Sequence, residues 1–171
     1  MSHEPYPALA RKAIEEYLLR GTVLETPEQL PEEFKKTAGV FVSLKKHGQL
    51  RGCIGTFLPT KKNLHEEIVR NAIAAATEDP RFPKVHPSEL PDITLSVDIL
   101  SEPEKVNSLS ELDPQRYGVI VAKGLRRGLL LPALEGVNTV EEQLRITKIK
   151  AGIDPNDTDV EIFRFTVERH K

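Results

Sequence analysis

The sequence has a single cysteine, no tryptophan and no long apolar run. One cysteine cannot form a disulfide within the chain, so disulfides do not stabilise this fold. No apolar stretch approaches the roughly 20 residues that a membrane-spanning helix needs. The 24 basic and 26 acidic residues nearly cancel, to a net charge of −2, so no overall field attracts nucleic acid or an anionic membrane. These absences argue against a disulfide-rich scaffold, a membrane protein and a nucleic-acid-binding protein.

The first six residues, MSHEPY, contain no basic segment followed by an apolar core. They do not resemble a signal peptide, and we therefore expect a soluble cytoplasmic protein. The length of 171 residues suits one domain of ordinary size that can bury a sizeable core.

The sequence offers no pattern for a metal or a nucleotide cofactor. Its five histidines do not lie at ligand spacing from one another or from the cysteine: His3, His47, His65, His86 and His170. The segment that begins at His65 lacks the second histidine one helical turn later that a zinc site of the HExxH type requires. Glycine-rich phosphate-binding loops and the Gly-x-Ser-x-Gly pattern are absent as well. We expect no metal and no cofactor.

Hydrophobic periodicity predicts the order helix, hairpin, helix, strand, hairpin, helix, strand. Helices are predicted over residues 7–20 and 63–78, and from Thr139 toward Gly152. Strands are predicted over 39–45, 50–56, 92–100, 117–123, 128–131 and 160–167, with a hairpin tip at 124–127. Strands joined by tight turns are antiparallel, so the sequence predicts an α+β fold: a mixed, mainly antiparallel sheet packed with helices.

The lone cysteine lies in the segment LRGCIGT, residues 50–56, between two glycines. Strand alternation places Arg51, Cys53 and Gly55 on one face. A guanidinium beside a thiol favours the nucleophilic thiolate, and the glycines leave backbone that a ligand can approach closely. The alternative is that Cys53 is a small buried residue without chemistry, as free cysteines often are.

The hairpin that contains Cys53 has two possible registers. A two-residue turn at 47–48 pairs Val42 with Cys53, and the glycine at its second position favours it. A three-residue turn at 47–49 pairs Ser43 with Cys53 and Leu44 with Gly52. The longer turn collects the apolar side chains of both strands on one face, so hydrophobic patterning favours it. The sequence leaves both registers open.

A second distinctive segment, DPRFP at residues 79–83, holds Arg81 and Phe82 between two prolines. Proline restricts the backbone, which suits side chains that must be presented in one position. The alternative is a rigid connector in which Phe82 fills the core and Arg81 pairs with a nearby carboxylate. His86, in the loop that follows, is a weak candidate for a base that activates Cys53.

The LRGCIGT and DPRFP segments, followed by ELP at 89–91 and GLLLP at 128–132, closely resemble the AMMECR1 domain family. The resemblance covers nearly the whole chain, and it is closest to the prokaryotic members called protein A of the AmmeMemoRadiSam system. It implies a single domain over residues 1–171. This domain can be divided into two lobes, a larger one made of sheet and helices and a smaller one. It further implies a cleft lined by the RGCIG motif. It implies a Memo-like protein and a radical SAM protein as partners, but no settled reaction.

Two hypotheses about function follow from the residues and the resemblance. In the first, the protein is a thiol-dependent enzyme or covalent carrier for an unknown small molecule. Its predicted catalytic residues are Cys53, Arg51 and Arg81, with His86 as the weak candidate base, and its predicted substrate-binding residues are Gly52, Gly55, Thr56 and Phe82. In the second, the protein is a non-catalytic partner of the Memo-like and radical SAM proteins, and Cys53 is structural. A third hypothesis, an RNA-binding adaptor, is weakened by the near-neutral charge.

Overall fold

The computed structural model describes residues 4–171. The expectations about residues 1–3, which include His3 and half of the segment compared with a signal peptide, lie outside the described residues. The chain divides into two compact units: the first holds the described residues up to Ile99 together with Glu168–Lys171, and the second is Leu100–Val167.

The helices are α1 (Pro5–Arg20), α2 (Leu64–Thr77) and α3 (Val140–Ala151). The strands are β1 (Val40–Lys46), β2 (Gln49–Thr56), β3 (Ile93–Leu100), β4 (Glu104–Lys105), β5 (Gly118–Lys123), β6 (Arg126–Leu130), β7 (Glu161–Phe165) and β8 (Val167–His170). They form two four-stranded sheets with the orders β2-β1-β3-β8 and β4-β7-β5-β6. The predicted α+β class is confirmed, with the strands shared between two sheets.

Local signals at the helix ends explain why the helices begin and end where they do. Gly21 follows α1 in the left-handed conformation, with φ of 70°, and its N–H bonds to the carbonyl of Tyr17. The Asn63 side chain accepts a hydrogen bond from the N–H of Glu66 and caps α2, and Thr139 caps α3 in the same way. The predicted positions of all three helices are confirmed.

The hairpin of β1 and β2 combines both predicted registers. At its tip, His47 and Gly48 have φ angles of 51° and 78°, as a two-residue type I′ turn requires. Further along, Ser43 lies opposite Cys53 and Leu44 opposite Gly52. The register shifts between Leu44 and Lys45, so Arg51 is the extra residue of a β-bulge. Turn chemistry therefore set the tip, and the bulge restored the register in which the apolar residues share a face.

The core of the first unit lies between this sheet and helices α1 and α2. Val40, Val42 and Leu44 of β1 are fully buried, and α2 contacts both β1 and β2. Burying a side chain of this size contributes about 1.5–3 kcal/mol. The alanines along α2 allow its backbone to approach the sheet closely, and Gly52 of β2 lies directly against the carbonyl of Ala75.

The second unit packs α3 on the sheet formed by β4, β7, β5 and β6. The turn between β5 and β6 is shorter than predicted, because Lys123 pairs with Arg126 and Ala122 with Arg127. These two arginines therefore lie in β6 and not at the tip. The predicted last strand is interrupted at Thr166, and the chain continues as β8 in the sheet of the first unit.

Across residues 4–171, no helix is both long enough and apolar enough to cross a membrane.

Candidate functional site

The predicted site residues lie on or beside the outer face of the first sheet. Helix α2 covers the inner face, which carries Val42, Leu44 and Gly52. On the outer face, Cys53, Ser43 and Ser96 lie opposite one another across β2, β1 and β3. The next row is Gly55, Phe41 and Asp98. We refer to these two rows, residues 41, 43, 53, 55, 96 and 98, as the Cys53 face.

The Cys53 thiol is half-buried and accepts a hydrogen bond from the Ser43 hydroxyl, with 3.2 Å between Oγ and Sγ. Burial raises the pKa of Cys53 above its ordinary value. The Ser43 hydrogen bond and the charge of Arg81 oppose that shift, whereas the carboxylates of Asp98 and Asp79 add to it. Burial therefore favours the neutral thiol over the thiolate that the sequence predicted.

Arg51 does not lie beside the thiol as strand alternation predicted, because the bulge at this residue interrupts the alternation. Its Nε and Nη2 atoms donate to the Glu89 carboxylate at 3.0 and 3.1 Å, and the guanidinium also donates to the carbonyls of Pro83 and Lys84. Hydrogen bonding from Arg51 is the largest cause that lowers the pKa of Glu89 to about 2. Arg51 thus connects β2 to the loop after α2 through these hydrogen bonds. The predicted pairing of Arg51 with Cys53 is wrong.

The cation near the thiol is Arg81, and a buried aspartate holds it there. The Asp79 carboxylate accepts hydrogen bonds from Arg81 Nε at 3.0 Å and Nη2 at 2.8 Å. It also accepts the backbone N–H of Cys53 at 3.0 Å. These contacts, led by those of Arg81, hold the pKa of Asp79 far below its usual range. The guanidinium also lies 5.4 Å from the centroid of the Phe82 ring.

Asp79 is a residue that the sequence reasoning missed as part of the site. Its side-chain exposure is 3%, whereas that of Arg81 is 56%. The signal was present in the DPR spacing, since an aspartate commonly bonds to the backbone N–H two residues later, as Asp79 does here. Arg81 therefore pairs with a nearby carboxylate, that of Asp79, as the alternative interpretation of this segment expected.

A second arginine–aspartate pair includes Asp98, at the β3 end of the Cys53 face. Arg169 of β8 donates to the Asp98 carboxylate through Nε at 2.7 Å and Nη2 at 2.9 Å. The Asp98 side chain is 2% exposed. No sequence signal predicted this pair, because Asp98 occupied an ordinary polar position in an alternating strand and Arg169 followed the predicted end of the last strand.

Neighbouring atoms occupy the space beside the residues that were predicted to leave open backbone for a ligand. A Cβ on Gly52 would lie 2.2 Å from the Ala75 carbonyl oxygen, and one on Gly55 would lie 2.2 Å from Cγ of the Phe41 ring. Thr56 donates to the Glu67 carboxylate at 3.1 Å. Close packing therefore explains why glycine is present at both positions. The predicted reason, open backbone for a ligand at Gly52 and Gly55, is wrong.

His86 caps the short helix Pro87–Asp92, where its Nδ1 accepts the N–H of Ser88 at 3.1 Å. Its own backbone N–H donates to Glu89 at 2.7 Å. Within residues 4–171, the polar contacts of His86 stay inside this capping motif, so its geometry matches a capping residue rather than the predicted base.

Other candidate sites are limited in the part of the chain that the structure describes. Within residues 4–171 no group of three or more His, Cys, Asp or Glu side chains is arranged to hold a metal ion. A groove of about 430 Å³ lies between the end of α1 and helix α2, with walls that include Tyr17, Leu24 and Ile73. None of the predicted site residues lines this groove.

Comparison with known proteins finds similarity over nearly the whole chain. A family model described as AMMECR1 matches residues 7–170. A protein from Thermotoga maritima is 64% identical, covering 100% of this chain and 99% of that protein. Protein CA_C1420 of Clostridium acetobutylicum is 54% identical over 98% of this chain, and the chain spans 36% of its length. The crystal structure of uncharacterised protein PH0010 from Pyrococcus horikoshii matches with a TM-score of 0.88 and 37% identity, covering 96% of this chain and 88% of that one.

Proposed function

This chain belongs to the AMMECR1 family, and from that premise we propose that it is a substrate-handling protein that binds a small molecule at the Cys53 face. Cys53 is the nucleophile or covalent carrier, Arg81 is the cation that meets the substrate, and Phe82 flanks that cation. Arg51 has a positioning role, through Glu89. A cytoplasmic location, and no nucleic-acid partner, are part of this proposal.

The observation that carries the proposal is the shared carboxylate of Asp79. One oxygen of this group, Oδ2, accepts both the backbone N–H of Cys53 and the guanidinium of Arg81. A buried acceptor thereby fixes a thiol and a half-exposed cation relative to each other, which is the kind of preorganisation that binding and covalent chemistry require. Because the pKa of Cys53 is raised by burial, covalent addition to a substrate also requires that the Sγ proton be lost to solvent or to the substrate.

The charge near the thiol is tested with two alkylating reagents of similar shape. Iodoacetate is an anion and iodoacetamide is neutral, so the ratio of their second-order rate constants at Cys53 reports the local potential. In Arg81→Gln we expect the iodoacetate-to-iodoacetamide ratio to fall about 3- to 10-fold, which corresponds to roughly 0.7–1.4 kcal/mol for one partly screened charge. The rates are measured by intact mass spectrometry at pH 8.5.

Two further variants make this measurement specific. Arg81→Lys keeps the positive charge, so it should retain most of the ratio. Arg145→Gln is a matched control, because Arg145 is a half-exposed arginine paired with the single carboxylate of Glu142, and it should leave the ratio unchanged. An equal ratio in wild type and Arg81→Gln, or no alkylation of the folded protein, would contradict the proposal.

A second candidate function is favoured by the raised pKa of Cys53. In this candidate the protein is a non-catalytic partner of a Memo-like protein and a radical SAM protein, and the neutral thiol only packs beside Ser43. In the first candidate the same two proteins are also the proposed partners.

Cys53→Ala separates the two candidates. If the protein is only an interaction partner, the three proteins should co-purify, and the affinity measured by calorimetry should change less than about twofold in Cys53→Ala. Ser43→Ala is the matched control for the hydroxyl that contacts the sulfur. Failure of the three proteins to associate at micromolar concentration would contradict the partner proposal, and retained association with loss of substrate turnover in Cys53→Ala would favour the first candidate.

A further inference from the structure

Two arginines flank the Cys53 face, and each is held by a buried aspartate. Asp79 reaches the N–H of Cys53 on β2, which is the edge strand of its sheet. Asp98 lies on β3, two strands farther across. Because neighbouring strands are about 4.8 Å apart, the two aspartates are separated by roughly 10 Å or more. The row of Cys53, Ser43 and Ser96 runs between them.

Both arginines bind their aspartates in the same way and leave Nη1 available. Nη2 of Arg81 also makes a long contact of 3.5 Å to the carbonyl of Cys53, which a ligand at this edge would replace. Each uses Nε and Nη2 for its carboxylate, and among residues 4–171 Nη1 takes no part in either pair. Their side chains are 56% and 52% exposed. A guanidinium fixed along one edge presents its two terminal nitrogens as a fork, the geometry that binds a carboxylate or phosphate through two hydrogen bonds.

The surface between the two cations is partly apolar. The Phe41 ring lies across Gly55, where a Cβ would meet its Cγ at 2.2 Å. Phe41 pairs with Gly55 on one side and with Asp98 on the other, so its ring lies in the row that leads toward Arg169. Both arginines are also within electrostatic range of the sulfur. Hydrogen bonding to its aspartate is the largest cause of the raised pKa of each arginine, and the negative charge that Cys53 carries as a thiolate in alkaline solution adds to it.

We propose that the Cys53 face binds a small molecule with two acidic groups joined by a short carbon chain, one group at Arg81 and the other at Arg169. The chain of the ligand lies over Phe41, and its reactive carbon is thereby placed near the Cys53 sulfur. This inference rests on the proposed function and names the class of its ligand. Arg169, which nothing in the sequence indicated, is the second anion-binding residue.

The test uses thermal unfolding with a series of α,ω-dicarboxylates. Malonate, succinate, glutarate and adipate are each added at 10 mM, with acetate as the single-charge control at matched ionic strength. A molecule that bridges two fixed cations must have one best length, so we expect one member to raise Tm by about 3–6 °C if its Kd is near 1 mM, and the others to raise it less. Acetate should raise Tm by less than about 1 °C.

The length optimum should disappear in Arg169→Gln, when each variant is compared with its own ligand-free Tm. Arg169→Lys keeps a charge opposite Asp98 but loses the fork, so its affinity for the best dicarboxylate should fall at least threefold. This variant replaces Arg169→Gln in the test if Arg169→Gln does not fold. Arg145→Gln should keep the optimum. Equal shifts for all lengths and for acetate, or an optimum unchanged in both Arg169 variants, would overturn the inference. Failure of the proposed function is seen separately, as an alkylation ratio that Arg81→Gln does not change.

Discussion

Gly52→Ala is expected to lower the free energy of unfolding by at least about 3 kcal/mol, the largest effect that we predict for a single methyl group in this protein. The added Cβ would lie 2.2 Å from the Ala75 carbonyl oxygen and 3.2 Å from its carbonyl carbon. Both atoms belong to the backbone of α2, which cannot move without separating the helix from the sheet. Overpacking of this kind commonly costs 1–3 kcal/mol or more, and a rigid backbone neighbour places this site at the upper end. Urea denaturation followed by circular dichroism measures the loss.

Gly48→Ala is the matched control in the same hairpin. Gly48 has φ of 78°, and among residues 4–171, apart from the glycine and its chain neighbours, no atom lies within 4 Å of the position that a Cβ would occupy. An alanine there therefore brings backbone strain without a steric clash. We expect a cost of about 1 kcal/mol from that strain. If Gly52→Ala costs no more than Gly48→Ala, the close contact between β2 and α2 is not what requires a glycine in the RGCIG motif.

Asp79→Asn is expected to cost about 2–4 kcal/mol at pH 7. The amide oxygen can still accept from Cys53 and Arg81 as Oδ2 does, but the amide NH2 group then takes the place of Oδ1 and cannot accept the backbone N–H and Nε of Arg81. The neutral amide also cannot balance the Arg81 charge. Loss of one partner of a buried ion pair commonly costs 3–5 kcal/mol, and we discount that figure because Arg81 is more than half exposed. Chemical denaturation at pH 7 measures the difference.

The cost of Asp79→Asn should shrink in acid. The folded-state pKa of Asp79 lies far below its unfolded value, so the carboxylate stabilises the fold above about pH 4, and this contribution is lost as the pH falls toward the folded-state pKa. The pKa of Glu89 is lowered to about 2. Protonation of Glu89 over the same pH range therefore lowers the unfolding free energies of wild type and variant equally. The difference between the two unfolding free energies should therefore narrow steadily as the pH falls from about 4 to 2.

Asp92→Asn is the control for this pH series. Asp92 is exposed and belongs to the same unit, and its replacement should cost less than about 0.5 kcal/mol. A constant gap between wild type and Asp79→Asn from pH 7 to pH 2.5 would show that the ion pair with Arg81 does not stabilise the folded state.

Neighbouring residues in the sequence are sufficient to explain the local structure of this protein. The caps at Asn63 and Thr139, the left-handed glycine after α1 and the positive φ angles at His47 and Gly48 depend on residues only a few positions apart. Such signals act before any tertiary contact forms, which is why helix positions and the hairpin tip were predictable. The alternation of apolar residues also predicted the inner face of β1, because burial of one face requires that pattern.

The chemistry around the single thiol depends on contacts between distant parts of the chain. The β-bulge turned Arg51 toward Glu89, and Asp79 brought Arg81 to Cys53 in its place. Arg169 meets Asp98 across 71 residues of sequence. These contacts depend on distances between segments that are far apart in the chain, and neither alternation nor composition encodes such distances. The pKa of Cys53 is likewise set by burial and by the charges that folding assembles around it.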